Sequence, residues 1–380
     1  MKRVVVVGGG PSGLYFAYLW KVRHPDHSVV LFEQNARDAT FGFGVVFSER
    51  AMDFLRADDP VTADLITSGM QTWSNITLNH RGEAVELDGI GFSAIGRLEL
   101  LLLLQGQARS VGVDLRYNSV LRSMADLPDC DILVAADGVN SLVRRSHEGD
   151  FQTSISYQDE KFVWFGTSKR FETLTQSFVE CEFGTFNAHH YRYSPSMSTF
   201  IVECDRQSWL RAGFDTLDEE ASRQRCEAIF AKVLDGHPLV ANKSLWRNFP
   251  WIWSERWHHR NMVLIGDALH TAHYSIGSGT RLALEDAIAL AKALDTYPDD
   301  ALAAFRHFES TRRPIVEKLV SAAKTSAAWY ADFPAHMRLQ PLELAYRYAT
   351  RTGRVDNDRL AQMSPNFMKR YLEQPLTPAE

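Results

Sequence analysis

The stretch from Val4 to Glu33 constrains this 380-residue chain more than any other. Val4-Val5-Val6-Val7 is a continuous β-branched run, the pattern of a strand buried on both faces of a parallel sheet. Gly8-Gly9-Gly10-Pro11-Ser12-Gly13 follows at once, and then a helical run, Leu14 to Lys21. In a G-x-G-x-x-G turn, Gly8 allows the tight bend, Gly10 lets the backbone approach a pyrophosphate, and Gly13 packs the helix onto the strand. Pro11 is tolerated in a first helical turn, where its missing N–H costs nothing, and the helix N-terminus from Ser12 on offers free N–H groups to a phosphate. A second apolar run, Ser28 to Phe32, ends at Glu33, about 20 residues on, where such units carry the acceptor for a ribose hydroxyl. An ordinary βαβ turn does not need all three glycines. The expectation is a bound dinucleotide.

Composition narrows the classes. Hydrophobic content of 45% and charged content of 23% are those of a globular protein, and the length suggests about two domains. A net charge of -6 argues against nucleic acid as a partner. Cys130, Cys181, Cys204 and Cys226 are far apart, so neither a metal site nor a disulfide framework is signalled. They read as reduced and mostly buried, in a cytoplasmic protein. The short valine run is too brief for a signal peptide, and no stretch is long enough to cross a membrane.

Farther on, Phe41-Gly42-Phe43-Gly44-Val45-Val46-Phe47-Ser48 reads as a loop passing close to a ligand, with Gly44 and Val45 as candidate contacts. Arg97 opens a leucine-rich helix where a cation is not favoured by the dipole, which points to an external anion or to a plain surface arginine. Asp131 to Ser141 is a second strand-to-turn element, with Asp137-Gly138 at the turn. From about Phe151, aromatic and β-branched runs separated by turn residues read as an inserted antiparallel sheet. Its His189-His190-Tyr191-Arg192-Tyr193 segment offers one face to a pocket or to solvent. Met262 to Ile265 is a third buried strand, ending in Gly266-Asp267. A loop with Gly277, Gly279 and Thr280 then feeds a helix rich in small residues, a second place for negative charge. The end of the chain reads as helices at Ala301 to Phe308, Pro314 to Trp329 and Leu342 to Thr350, with Glu309 to Arg313 exposed. Trp329-Tyr330 caps either the active site or an interface.

Three stations in this order, Gly8-x-Gly10-x-x-Gly13, Asp137-Gly138 and Gly266-Asp267, resemble the single-component, FAD-dependent aromatic hydroxylases along nearly the whole chain. The resemblance implies an α/β fold: a Rossmann-type FAD-binding domain interleaved with an antiparallel β-sheet substrate domain, plus a C-terminal helical segment. The expected division is 1–72, 96–150 and 256–300 for FAD, 73–95 and 151–255 for the substrate sheet, and 301–380 for the C-terminal helices. It further implies that the first station holds the ADP part of FAD, that Asp137-Gly138 lies near the pyrophosphate, that Asp267 meets the ribityl chain, and that Arg97 lies near the phosphates. NADH or NADPH would bind transiently.

Phe41 to Ser48, Phe162 to Thr167, Ser198 to Glu203 and His270 to Thr280 are similar, more narrowly, to hydroxylases of aryl-CoA thioesters. Those act on salicylyl-CoA or, as an N-terminal domain, on 2-aminobenzoyl-CoA; a violacein-pathway indole hydroxylase is a more distant relative. His273-Tyr274 stands where the wider family usually has Pro. The second, fused domain of some 2-aminobenzoyl-CoA enzymes does not follow, which favours plain ring hydroxylation.

The implied chemistry is reduction of FAD by NAD(P)H, addition of O2 as a flavin hydroperoxide, and transfer of its distal oxygen to an electron-rich ring. Salicylyl-CoA would yield gentisyl-CoA. A histidine poised near neutral pH suits deprotonation of the phenol. His273 is the first candidate, with His189 and Tyr191 second; each is otherwise a structural residue. Lys169, Arg170, Arg192, Arg206, Arg211, Arg247, Arg256 and Arg260 are candidate cations for a CoA tail or plain solvated side chains, and none is assigned. Trp251-Ile252-Trp253 resembles the core of flavin-dependent halogenases, but no Ile-Pro follows, so packing is the expectation. A non-catalytic flavin-fold binding protein is the alternative of another class. Monomer and homodimer remain open.

Overall fold

The computed structural model describes residues 1–373, with the backbone alone at 49–50. Its centre is a six-stranded sheet in the order His258–His259, Met262–Leu264, Ile132–Ala135, Arg3–Val7, Ser28–Phe32, Asp114–Arg116. All neighbours run parallel except the edge pair His258–His259 and Met262–Leu264. Val4 to Val7 are all buried, as a doubly covered strand requires. Each such side chain contributes roughly 1.5–3 kcal/mol through burial. Helix Pro11–Arg23 and helix Gly279–Thr296 pack against each other over this sheet. Buried Ala283, Ala287 and Ala291 keep the second helix slim on its inner face.

A larger sheet runs Leu239–Val240, Thr153–Thr167, Ser198–Cys204, Gly184–Arg192, Leu174–Cys181, Ile76–His80, Glu83–Leu87, with Arg247–Ser254 also paired to Thr153–Thr167. The expectation of a purely antiparallel sheet needs one correction: Leu174–Cys181 and Ile76–His80 pair in parallel. That pairing joins strands nearly a hundred residues apart, which local turn chemistry cannot announce. One face of this sheet carries an apolar core with Phe165, Phe186, Phe200 and Val202. The opposite face looks toward the parallel sheet and the C-terminal helices. A three-stranded sheet, Gly44–Ser48, Phe92–Gly96 and Gln71–Trp73, links the two layers.

The C-terminal region differs from expectation. Ala301–Ala331 is one helix of 31 residues, continuous through Pro314. A proline inside a helix costs about 3 kcal/mol. The buried side chains on both sides of it, Phe305, Phe308, Arg312, Val316 and Val320, hold the helix across the break. Arg312 is itself buried, where a charged run reads as solvated. Cys204 and Cys226 are buried and Cys130 and Cys181 half-buried, all as free thiols. Among the described residues no helix is long and apolar enough to cross a membrane.

Candidate active site

The three glycine turns meet at one end of the parallel sheet. Gly8 has φ +103°, and a Cβ there would lie 2.3 Å from the Ala136 carbonyl oxygen, so the first turn is wedged against the second. A Cβ on Gly13 would lie 2.1 Å from the Gly8 oxygen, whereas one on Gly10 would meet no protein atom within 4 Å. Gly10 caps helix Pro11–Arg23 without any side-chain hydrogen bond, leaving the first-turn N–H groups open on that side. Glu33 is tied to the turn: Oε2 accepts from the Gly9 N–H at 2.7 Å and Oε1 from the Asn35 N–H and Nδ2. Gly9 has no assigned part in the sequence reading. A Cβ there would press on Glu33 at 3.0 Å, so the acidic residue dictates it.

At the second station Asp137 Oδ2 accepts from the Leu142 N–H at 2.6 Å, while buried Oδ1 has no partner. Burial pushes its carboxyl pKa up. Gly138 has φ +74° and open space around a would-be Cβ. Arg144, next to exposed Arg145, is fully buried and bonds the carbonyls of Val139, Asp267 and Ala268. It thereby stitches the second station to the third. Gly266 has φ +61° and approaches Ser12, whose Oγ would lie 2.7 Å from a Cβ. Its N–H donates to Asp286 Oδ2, which also bonds His270 Nε2 at 2.9 Å; Oδ1 accepts from Arg312 Nε at 2.8 Å. Burial opposes ionisation of Asp286, but His270 and Arg312 prevail and its pKa lies below the ordinary value. Arg312 pairs with Glu285 as well, at 2.6 Å.

Asp267 keeps accessible surface although both neighbours are buried, so it faces the cleft. Enclosure pushes its carboxyl pKa up, against His270, Arg97 and Arg144. Arg97, half-buried, feels the Asp267 charge from across the cleft, and its own backbone N–H donates to the Phe43 carbonyl. The cleft therefore carries open glycines, an orphaned carboxyl oxygen, a bare helix N-terminus and one arginine. That donor set fits a dinucleotide with its pyrophosphate at the helix end.

Beyond Asp267 in the chain lies an aromatic cluster, the candidate chamber for a ring. Val45 is buried in strand Gly44–Ser48, and Gly277, at φ +61°, brings its loop against Val46. Gly279 and Thr280 begin helix Gly279–Thr296, with open space at Gly279. Tyr274 is the hub: its ring centroid lies 4.0 Å from His273, 5.5 Å from His189, 4.8 Å from Phe162 and 5.9 Å from Phe249. Trp251 stacks on His273 at 6.0 Å, and its indole N–H donates to Gln158. Tyr330, from the long helix, is buried against His273. Of the Trp329-Tyr330 pair, Tyr330 thus belongs to the chamber, while Trp329 packs on Phe178, His336 and Tyr348. Arg351 closes the back: it bonds the Ser275 carbonyl at 2.8 Å and Ser326 Oγ at 3.1 Å, and lies 3.9 Å above Tyr348.

The structure brings His273 and His189 into this chamber but not poised near neutrality. Burial, with the charges of His189 and Arg351, holds His273 down to about 3. Burial and Arg351 hold His189 down to about 3 as well. His273 Nδ1 accepts from the Ser275 N–H at 3.3 Å, so the ring proton sits on buried Nε2, which has no partner. It is a neutral hydrogen-bond donor. Tyr191 donates its hydroxyl to the Gly44 carbonyl at 2.9 Å, and burial pushes its pKa up. Its place is to fix Gly44, together with Thr199 Oγ1, which accepts the Gly44 N–H.

Of the cations considered for a CoA tail, Arg192 pairs with Glu172, Arg211 bonds the Phe183 carbonyl, and Lys169 lies 3.9 Å from Asp235. Arg256 and Arg260 line a groove with Asp150 and Glu309. At that edge His147, Asp150 and His259 hold donor atoms within 4.8 Å of one another, a grouping that residue spacing did not reveal.

A family described as "FAD binding domain" matches residues 1–323. The chain belongs to this FAD-binding family. It is 41% identical to a salicyloyl-CoA 5-hydroxylase of Streptomyces sp., over 97% of this chain and 73% of that one. It is 34% identical to a 3-hydroxy-4-methyl-anthranilyl-[aryl-carrier protein] 5-monooxygenase of Streptosporangium sibiricum, over 93% and 95% of the two chains. The fold matches a 2-methyl-3-hydroxypyridine-5-carboxylic acid oxygenase with a TM-score of 0.72, at 16% identity, covering 96% and 98%. The protein is an FAD-dependent aromatic monooxygenase using NAD(P)H as co-substrate.

Proposed function

We propose that this enzyme hydroxylates an aromatic acyl-CoA thioester, with salicylyl-CoA converted to gentisyl-CoA as the best match. The single observation that carries the substrate is the 41% identity to a salicyloyl-CoA 5-hydroxylase along 97% of this chain. Both relatives named above act on an aryl group delivered on a carrier, which supports a thioester over a free acid.

Gly8, Gly10, Pro11, Ser12, Gly13 and Glu33 would hold the adenylate end of FAD. Asp137, Gly138 and Arg97 would meet its phosphates, and Gly266, Asp267, Gly277, Gly279 and Thr280 its ribityl and ring end. Bound FAD, reduced by NAD(P)H, supplies the activated oxygen. The chain's own residues do the rest. Tyr274, Phe249, Trp251 and Tyr330 exclude water and orient the ring. His273 Nε2–H offers a neutral donor at the chamber wall. A ring hydroxyl directs attack to the para carbon, which in salicylyl-CoA is C5.

The test is NAD(P)H oxidation and product mass with salicylyl-CoA, 2-aminobenzoyl-CoA and the matching free acids. Product 16 mass units heavier, about one oxygen atom, from salicylyl-CoA and not from salicylate is expected. Turnover of the free acid alone would overturn the thioester. Preference for the amino ring would move the reading toward the anthranilyl relative.

A further inference from the structure

Glu203 has no explanation in the fold. It lies on strand Ser198–Cys204, opposite Phe162 on one neighbour and Asn187 on the other. Cross-strand partners share a face, so its side chain points with theirs toward the chamber, not into the core behind the sheet. It is 1% exposed, and neither Oε1 nor Oε2 has a hydrogen-bond partner. An unpaired buried carboxylate is among the costliest groups a fold can carry. The same face holds further orphans: Asn187 Oδ1, Gln176 Oε1 and His273 Nε2. Structural carboxyls in this protein are handled otherwise; Asp286 is bonded by three separate donors.

Tyr274 is the titratable group beside it: its ring centroid lies 4.8 Å from that of Phe162, the residue directly opposite Glu203 on the neighbouring strand, and the two groups act on each other electrostatically although no resting hydrogen bond joins them. Of this pair only Tyr274 keeps accessible surface. Whatever Glu203 does to a bound ring therefore passes through Tyr274. The remaining titratable groups around Glu203 are Glu160 on strand Thr153–Thr167, His189 on strand Gly184–Arg192 and Tyr330 on the long helix, with Arg351 behind. His189 is neutral, so no cation pairs directly with the carboxylate.

We propose that Glu203 is a positioning residue for proton transfer, accepting through Tyr274 the proton that a bound aromatic ring gives up. The step rests on the hydroxylase reading and balances without a further reagent. The ring hydroxyl O–H breaks and its proton goes to the Tyr274 oxygen. The Tyr274 O–H breaks at the same time and its proton goes to a Glu203 carboxylate oxygen, leaving phenolate, tyrosine and carboxylic acid. Burial raises the Glu203 carboxyl to about 8 despite Tyr274, so the accepting carboxylate is the minor form at pH 7 and its share grows as pH rises through 8. The ligand class this selects is a ring bearing an ionisable hydroxyl.

Two measurements on flavin-loaded wild type, Glu203→Gln and Tyr274→Phe decide it. The first is melting temperature from pH 5 to pH 9. A carboxyl raised from 4.5 to about 8 binds its proton more tightly when folded, so it removes stability as pH rises through that window. Glu203→Gln should gain on wild type steadily from pH 5 to pH 8; a constant difference overturns the proposal. The second is the pH profile of product formation. Wild type should show a limb near 8 that is absent in Glu203→Gln, with turnover at pH 7 down about 100-fold. Tyr274→Phe should show the same loss, and the double variant no more. An intact limb in Glu203→Gln overturns the proposal. If Glu203→Gln does not fold, the Tyr274→Phe profile decides alone. If no aryl substrate is turned over, the functional reading fails, and the melting series still tests Glu203.

Discussion

Arg312 Nε donates to Asp286 Oδ1 across 2.8 Å, joining the long C-terminal helix to the helix that supports Gly266. Both residues are buried. Removing one partner leaves a buried charge uncompensated, at about 3–5 kcal/mol. Arg312→Met should lower stability by that amount in chemical denaturation. It should also weaken flavin retention, read by gel filtration, because the Gly266 N–H loses its fixed acceptor.

Gly10 and Gly8 separate two kinds of glycine. A methyl on Gly10 meets no protein atom, so Gly10→Ala should melt like wild type when stripped of flavin, yet bind FAD at least ten-fold more weakly, about 1.4 kcal/mol. Gly8→Ala, with φ +103° and a carbonyl 2.3 Å away, should fail to yield soluble protein.

His273 and His189 are neutral in the folded state, each held from 6.5 down to about 3. The unfolded chain binds those protons first, so the stability they carry is whole above pH 6.5 and is lost as pH falls toward 3. The melting temperature of wild type should drop between pH 7 and pH 5. His273→Gln should flatten part of that drop.

Arg351 fixes the turn that carries Tyr274 by bonding the Ser275 carbonyl. Arg351→Ala should leave NAD(P)H oxidation largely intact while the ratio of hydroxylated product to NAD(P)H consumed falls at least two-fold, an estimate based on loss of ring orientation. Product quantified against NAD(P)H consumed checks it.

Tyr191→Phe removes one hydroxyl donated to Gly44. A loss of about 1 kcal/mol in stability, with an unchanged pH profile of hydroxylation, is expected. A lost limb in that profile would return Tyr191 to the proton chemistry.

The meeting of the glycine turns was legible in the sequence because glycine answers to local backbone demands. Gly8 and Gly13 are each forced by a carbonyl two to three ångströms away, and such demands leave fixed spacings. The chamber was less legible. Arg312 sits in a run of charges that reads as solvated, and only the approach of Asp286, 26 residues earlier, buries it. Pro314 reads as a helix break, and packing on both sides overrides it. Glu203 lies one residue from the end of a strand whose two faces cannot be ranked until the C-terminal helices cover one of them. His273 and His189 come together around Tyr274, but their titration depends on burial that no spacing encodes. Gly9 is the exception on the cleft side: its reason is direct contact with the Glu33 carboxylate, which the spacing between turn and acid does not announce.

The unbroken helix from Ala301 to Ala331 has a mechanical consequence. Arg312 braces the Gly266 turn through Asp286 and Tyr330 walls the aromatic end, about 27 Å apart along one stiff rod at 1.5 Å per residue. Tightening at either end should be felt at the other without any loop having to move, so cofactor loading and ring confinement should stiffen the protein together.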